Sequence, residues 1–246
     1  MQSWDSVVET WSPTSPHARL RAYSDAVTAR LVDTWVDGPR TGTVLKTDAF
    51  DESVSAGLVP LLREKAGAIV IVDVAEAVLA RGAERYPDVR FEQGDVRALA
   101  YDDGAFELVV SNSTLDHFDD EATLAAAVAE LGRVLAPGGT LVLTLDNPVN
   151  PLVATRNRLP GLLRRLGIVP YPIGVTCGPS RLRHHVEAAG LEVVAACAFM
   201  HVPRLLALPW LRLRGSVGAL LACERLDGLP TRYLTGQFVA VKAVKR

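Results

Sequence analysis

Asp48, Asp73, Asp95, Asn112 and the pair Asp146 and Asn147 each close a short apolar run in a chain of 246 residues. In an open α/β sheet, ligands bind outside the carboxyl ends of the strands, near the point where strand order reverses. These are therefore the residues placed to meet one. Asp73, at the end of AIVIVD, can accept both hydroxyls of a ribose; capping a helix that begins at Val74 is the alternative. Asp95, in QGDVRAL, can accept from an exocyclic adenine amine while the Val96 N–H faces a ring nitrogen, and a helix cap is again the alternative.

The elements that must position these residues are legible as alternating runs. TVLKTD (43–48), AIVIVD (68–73), VRFEQGD (89–95), FELVVSN (106–112) and GGTLVLTLDN (138–147) read as strands, separated by helical patterns such as VAEAVLARGAERY and the stretch from Glu121 to Leu135. Continuous apolar strands with intervening helices predict a parallel sheet covered on both faces, a doubly wound α/β domain. After Asn147 the pattern changes to a proline-rich insertion. A helix from Gly178 to Gly190, with Ser180 as its N-cap, and a strand LEVVAACAF (191–199) restore it, and GQFVAVKAV (236–244) reads as a further strand. The division expected is one domain over 1–246: a helical cap over 1–40, a ligand-binding core over 41–147, and cap insertions over 148–177 and 200–232.

Composition narrows the function. A formal charge of −2 supplies no whole-molecule attraction to nucleic acid. The three cysteines, Cys177, Cys197 and Cys223, are scattered and odd in number, so neither a disulfide framework nor a zinc site is implied, and a reducing cytoplasm is the expected location. The segment MQSWDSVVETW lacks the basic start and apolar run of a signal peptide. The apolar stretch from Leu205 to Cys223 is broken by Pro209, Arg212 and Arg214, so no membrane-spanning helix is expected. Lysine occurs 4 times against 22 arginines. An arginine therefore says little by its presence, whereas Lys46 is a rarer choice.

IVIVDVAEAVLARG, FEQGDVRALAYDDGAFELVVSNSTLDHFDD and ELGRVLAPGGTLVLT together resemble the second to fifth strand motifs of the class I S-adenosylmethionine-dependent methyltransferases. The resemblance covers residues 40 to 147 and the two later strands. It implies a Rossmann-like, seven-stranded sheet with an antiparallel last strand, and S-adenosyl-L-methionine as cofactor over the ends of the first three strands. The PGG at 137–139 is then a structural turn. A dinucleotide-binding dehydrogenase would require G-x-G-x-x-G after the first strand, and that motif is absent.

The first motif departs from the family. Where the family carries an acid followed by G-x-G-x-G, this chain has Lys46 at the acidic position and Asp48, Phe50 and Glu52 at the glycine positions. Gly57 and Pro60 suggest a helix that starts late. Two accounts are open. Lys46 meets the cofactor carboxylate, with Asp48 or Asp51 on its ammonium; or Lys46 and Asp48 form a structural ion pair, because an unpaired buried charge is expensive.

In this family the acceptor lies over the fourth and fifth strands. Asn112 and Ser113 would border the cofactor there, and Asp116 and His117 are the candidate catalytic pair. A histidine suits proton removal near neutral pH, although helix packing is the alternative. Asp146, His201 and Tyr233 are further candidates for deprotonating an acceptor, and Asn147, Arg156, His201 and Tyr233 for binding it. Tyr23, on an N-terminal amphipathic helix, could reach the cofactor carboxylate or simply pack on the sheet edge.

The cap is basic: Arg156, Arg158, Arg164, Arg165, Arg181 and Arg183 lie between Asn147 and Val186 with no acid among them, and Arg204, Arg212 and Arg214 follow. An anionic small-molecule substrate, peripheral contact with an acidic membrane, and an ordinary solvated face all fit this pattern. His184 and His185 are adjacent and lack ligand spacing, so no metal is expected. The leading expectation is methyl transfer to a small molecule in bacterial secondary or lipid metabolism. The alternatives are a non-methylation use of the same cofactor, such as its intramolecular cyclisation, and a non-catalytic binding partner that retains the fold.

Overall fold

Strands β1 (Thr43–Thr47), β2 (Ala68–Asp73) and β4 (Phe106–Asn112) are buried along almost their whole length, as expected when both faces of a sheet are covered. They belong to a seven-stranded sheet of order β3-β2-β1-β4-β5-β7-β6, with β3 at Arg90–Gln93, β5 at Leu135–Asp146, β6 at Leu191–Phe199 and β7 at Phe238–Lys245. β1 to β5 pair in parallel, while β7 runs antiparallel to both β5 and β6. This is the expected Rossmann-like arrangement. The computed structural model describes residues 16–38, 42–159, 174–203 and 216–246, with isolated positions at 8, 11–12, 161, 165, 206–207 and 209.

One face of the sheet is covered by α5 (Glu121–Val134) and α7 (Pro179–Ala188), which bury Leu124, Val128, Leu131, Leu182 and Val186 against Leu141, Leu143 and Val241. The other face packs Val32 of α1 (Pro16–Trp35) and Val36 just beyond it, together with α2 (Phe50–Val54), α3 (Val59–Lys65) and α4 (Glu76–Arg85), over Val44, Ile71, Leu108 and Val142. The α5 N-terminus is capped by Asp120, which accepts from Thr123 N at 2.7 Å. At its other end Lys245 of β7 donates to the carbonyls of Gly132, Arg133 and Leu135 at 2.8, 3.1 and 2.7 Å, satisfying carbonyls that a helix terminus leaves unpaired.

Several boundaries differ from the sequence expectation. The late helix expected after Gly57 is α3, but the short α2 precedes it, starting three residues beyond β1. β5 begins at Leu135, because Leu135 pairs with Phe106 across a bulge, so the PGG lies inside the strand with Gly138 at φ +76°. α7 is entered from Gly178 rather than capped by Ser180; Pro179 at the first helical position has a preset φ and no N–H to satisfy. Of the first insertion, α6 (Pro151–Arg158) is described, its N-cap Asn150 accepting from Leu152 N and Val153 N. The second contributes α8 (Ser216–Ala222), a 3-10 turn at Cys223–Gly228 and α9 (Arg232–Thr235).

Candidate functional site

β1 and β4 are neighbours although β2 and β3 intervene in sequence, so the strand order reverses between them. At the end of β1, Asp48 adopts φ +74°, a left-handed conformation usually left to glycine. It is held there by three contacts. Its N–H donates to Val72 O at 2.8 Å, its Oδ1 accepts from Phe50 N at 2.6 Å, and its carbonyl accepts from Lys46 Nζ. An aspartate bonded to the backbone two residues on tolerates this conformation, which is how the turn forms without glycine.

Lys46 does not pair with the Asp48 carboxylate. Its ammonium lies 2.8 Å from Glu52 Oε2, and both side chains are completely buried. The short α2 turns Glu52 back under the strand, and Glu52 Oε1 accepts from Leu58 N at 2.8 Å. Gly57 makes room for it: a Cβ there would lie 2.3 Å from Glu52 Oε1, at φ +56°. The ion-pair account of Lys46 is thus corrected in its partner, and the account in which Lys46 grips a ligand meets an ammonium with no surface. Burial opposes the Lys46 charge, but Glu52, Asp48 and Asp51 outweigh it and push its pKa up.

The other polar residues of the loop face the switch point. Asp51 Oδ1 receives Arg21 Nη1 of α1 at 2.5 Å, and Asp51 Oδ2 receives Asn112 Nδ2 at 3.3 Å. The Arg21 guanidinium also lies over the Phe50 ring, 5.4 Å from its centroid. One turn along α1, Asp25 Oδ2 accepts from Gly57 N at 3.2 Å. Arg21, Asp25 and the Glu52 partnership were not anticipated from the sequence. The available signal was the i, i+4 spacing of Arg21 and Asp25, which puts both on one helix face.

Burial and the neighbouring Asp51 push the Asp25 carboxyl from its usual 3.8 up to about 7. The folded state then holds a proton on Asp25 that the unfolded chain has released, across the window between those values. Stability contributed by this group therefore falls as pH rises through it. Asp25→Asn should remove this term, so that the variant gains on the parent by about 2 kcal/mol between pH 5 and pH 7.5. Urea unfolding at the two pH values measures it; parallel pH dependences would contradict it.

At the β2 end, Asp73 Oδ2 accepts from Ala49 N at 2.8 Å and Oδ1 from Ala75 N at 2.9 Å, so this carboxylate ties the first loop to the start of α4. Val74 beside it is 57% exposed, an apolar side chain left on the surface next to a carboxylate. Val96 is buried. Asp95 is already engaged: both its oxygens accept from Arg97 Nε at 2.9 Å and Oδ1 also from Arg97 N, and Arg97 holds its carboxyl below the usual range.

At the ends of β4 and β5, Asn112 Oδ1 accepts from Thr144 Oγ1 at 2.9 Å, and Ser113, at φ +51°, donates its N–H to Thr144 O at 3.2 Å. Asp116 is 4% exposed; its Oδ2 accepts from Asp146 N at 3.1 Å, while Oδ1 has no hydrogen-bond partner among the described residues and lies 3.8 Å from His117 Nε2. Burial and Asp146 push the Asp116 carboxyl up to about 6. Arg156 of α6 pairs with Asp146. The structure thus brings Asp116, His117, Asp146 and Arg156 together.

Four candidates lie elsewhere or are otherwise occupied. Tyr23 is fully buried among Phe199, Met200, Leu220 and Phe238, its hydroxyl donating to Glu224 Oε1 at 3.2 Å; it faces the β6–β7 side, away from the Arg21 face of α1. His201 is 4% exposed with Nδ1 at 2.8 Å from Thr235 Oγ1 and Nε2 at 3.1 Å from Ala198 O, a buried clamp with no nitrogen left for an acceptor. Asn147 is fully buried and donates to the carbonyls of Tyr233 and Gly236, both at 2.8 Å. Tyr233 packs its ring on the core below α5 and under the Arg232 guanidinium. Among the cap arginines, Arg181 and Arg183 have carboxylate partners in Glu121 and Glu187, so the excess positive charge is partly neutralised. Arg164, Arg204, Arg212 and Arg214 lie outside the described residues.

A parallel sheet with one reversed strand, and polar residues gathered where its order reverses, define a Rossmann-like fold. Residues 54–143 match the family model described as a methyltransferase domain. This stretch, from α2 to β5, is thus similar to the methyltransferase domains that use S-adenosyl-L-methionine. The chain is 37% identical over 124 residues to a trans-aconitate 2-methyltransferase of Variovorax paradoxus, covering 50% of this chain and 41% of the relative. It is 27% identical over 174 residues to a malonyl-[acyl-carrier protein] O-methyltransferase of Pectobacterium atrosepticum, covering 67% and 65%. The chain thus spans less than two thirds of these curated relatives' own length. The crystal structure of geranyl diphosphate C-methyltransferase from Streptomyces coelicolor shares the fold at a TM-score of 0.63 and 15% identity, covering 96% of this chain and 85% of that one. No helix among the described residues is long and apolar enough to cross a membrane.

Proposed function

We propose that this protein transfers a methyl group from S-adenosylmethionine to a small anionic acceptor in bacterial secondary or lipid metabolism, acting in the cytoplasm. The observation that carries the reading is the set of carboxylates around the β1 turn. Burial and the charges of Asp51 and Asp73 push the Asp48 carboxyl well up, against the pull of Lys46, and a positively charged ligand would relieve that repulsion. A sulfonium with an ammonium beside it is such a ligand. Asp73 would take the ribose, and Val74 and Val96 would give the adenine apolar contact. Asp95 would reach the adenine amine only by sharing its oxygens with Arg97.

The cofactor supplies an already activated methyl, so the protein's task is largely alignment of the acceptor. The group formed by Asp116, His117, Asp146 and Arg156 is suited to that. Arg156 would orient an anionic acceptor, and Asp116, with an unpartnered oxygen and a pKa raised toward neutrality, would hold His117 or take a proton through it. The trans-aconitate, malonyl and geranyl diphosphate enzymes named above are consistent with an anionic acceptor.

Incubation with S-adenosylmethionine carrying a labelled methyl, together with a panel of carboxylate and phosphate compounds, tests the reading by product analysis. Adenosylhomocysteine with a labelled acceptor is the expected result. Methylthioadenosine formed without an acceptor would favour cofactor cyclisation instead. Absence of any binding to adenosylhomocysteine by calorimetry would leave a non-catalytic partner.

A further inference from the structure

We propose that the amino-acid end of the cofactor is held by the Arg21–Asp51 ion pair, with Asn112 behind it, and not by the β1 residues at the glycine-turn positions. The inference rests on the cofactor reading above. A methionine-type zwitterion needs a donor for its carboxylate and an acceptor for its ammonium. At the end of β1 both kinds of group are already engaged internally. The Lys46 ammonium has no surface and is held by Glu52 and the Asp48 carbonyl. The amides of the turn are also used, Ala49 N by Asp73 and Phe50 N by Asp48.

What faces the switch point is a second pair of opposite charges. Arg21 and Asp51 are joined at 2.5 Å, their side chains 25% and 8% exposed. The pair bridges two elements, α1 and α2, and Asn112 at the β4 end supports the second oxygen of Asp51. A zwitterion can enter such a pair by exchange of partners: its carboxylate takes the guanidinium fork, and its ammonium takes Asp51. Each charge leaves one opposite charge and gains another, so none is left buried and unpaired. Arg21 is steadied for this by the Phe50 ring under its guanidinium. The contact also makes α1 a wall of the cofactor site through Arg21, where the sequence pointed to Tyr23.

Calorimetry with two ligands tests the assignment. Adenosylhomocysteine carries the amino-acid end; methylthioadenosine lacks it and reports on the adenosine end alone. Arg21→Gln should weaken adenosylhomocysteine by roughly tenfold or more, with methylthioadenosine affinity kept within about twofold of the parent. Arg21→Lys, which keeps the charge and loses the fork, should fall between. Retained methylthioadenosine binding also shows that the variant is folded. Unchanged adenosylhomocysteine affinity in Arg21→Gln, or a parallel loss for both ligands, would overturn the inference while leaving the cofactor reading in place. Failure of the parent protein to bind adenosylhomocysteine would overturn the cofactor reading and this inference with it.

Discussion

Lys46→Met should destabilise the protein by about 3–5 kcal/mol, the range seen when one member of a buried ion pair is removed. Lys46 sits mid-strand, in register with Ile71 on β2 and Val110 on β4, so its stem is enclosed by the sheet and its ammonium is the counter-charge to a carboxylate with no exposed surface. Without it, Glu52 must either take up a proton or remain as an uncompensated charge. The Asp48 carbonyl also loses a donor, at a residue held in a left-handed conformation. Lys46→Met combined with Glu52→Leu should recover most of the loss, because replacing both partners removes the desolvation penalty along with the attraction. Denaturant unfolding of the two variants and the parent measures both effects. A double variant as unstable as the single one would mean that the Asp48 carbonyl contact, and not the ion pair, dominates.

Asp73→Ala has the largest expected effect on binding. The carboxylate would accept from the cofactor ribose while tying Ala49 and Ala75 in place. Hydrogen bonds to a charged group contribute about 1.5–3 kcal/mol each, so loss of one or two predicts an affinity for adenosylhomocysteine lower by about 100-fold. Methylthioadenosine should weaken by a similar factor, in contrast to the selective loss expected at Arg21. Calorimetry against both ligands reads this directly. Unchanged affinity would put the ribose elsewhere. A thermal melt of the variant separates a binding loss from collapse of the loop that Asp73 anchors.

The central strands were legible because they are largely continuous runs of β-branched and aliphatic residues, and because a parallel sheet buries both faces of such a run; the edge strand β3, RFEQ, is only partly buried. Their ends were legible for the same reason: Asp73 is the first polar side chain after its apolar stretch stops, and Asn112 follows Ser111 where the apolar stretch of β4 does. The partner of Lys46 was not legible. Glu52 lies six residues on, and whether it points back under the strand or out to solvent depends on the phase of a five-residue helix entered through a left-handed aspartate. Residue type also misled where burial decides the role. Tyr23, Asn147 and His201 carry reactive-looking groups, yet each is enclosed and bonded to neighbouring protein groups. Arg21 was passed over for the opposite reason, since one arginine among many carries little information until its partner is known.

The placement of β7 has a consequence for how the sheet assembles. It is hydrogen-bonded to β5 over Thr140–Asp146 and to β6 over Leu191–Phe199, and it follows both of them in sequence. Among the described residues β6 has no other neighbour in the sheet. As the chain leaves the ribosome, β1 to β5 can pair while the open edge of β5 stays unprotected, and β6 cannot join until residues 238–245 emerge. An exposed apolar strand edge invites pairing with other chains. Biogenesis of this protein is thus most exposed to aggregation in the interval between synthesis of β5 and synthesis of β7.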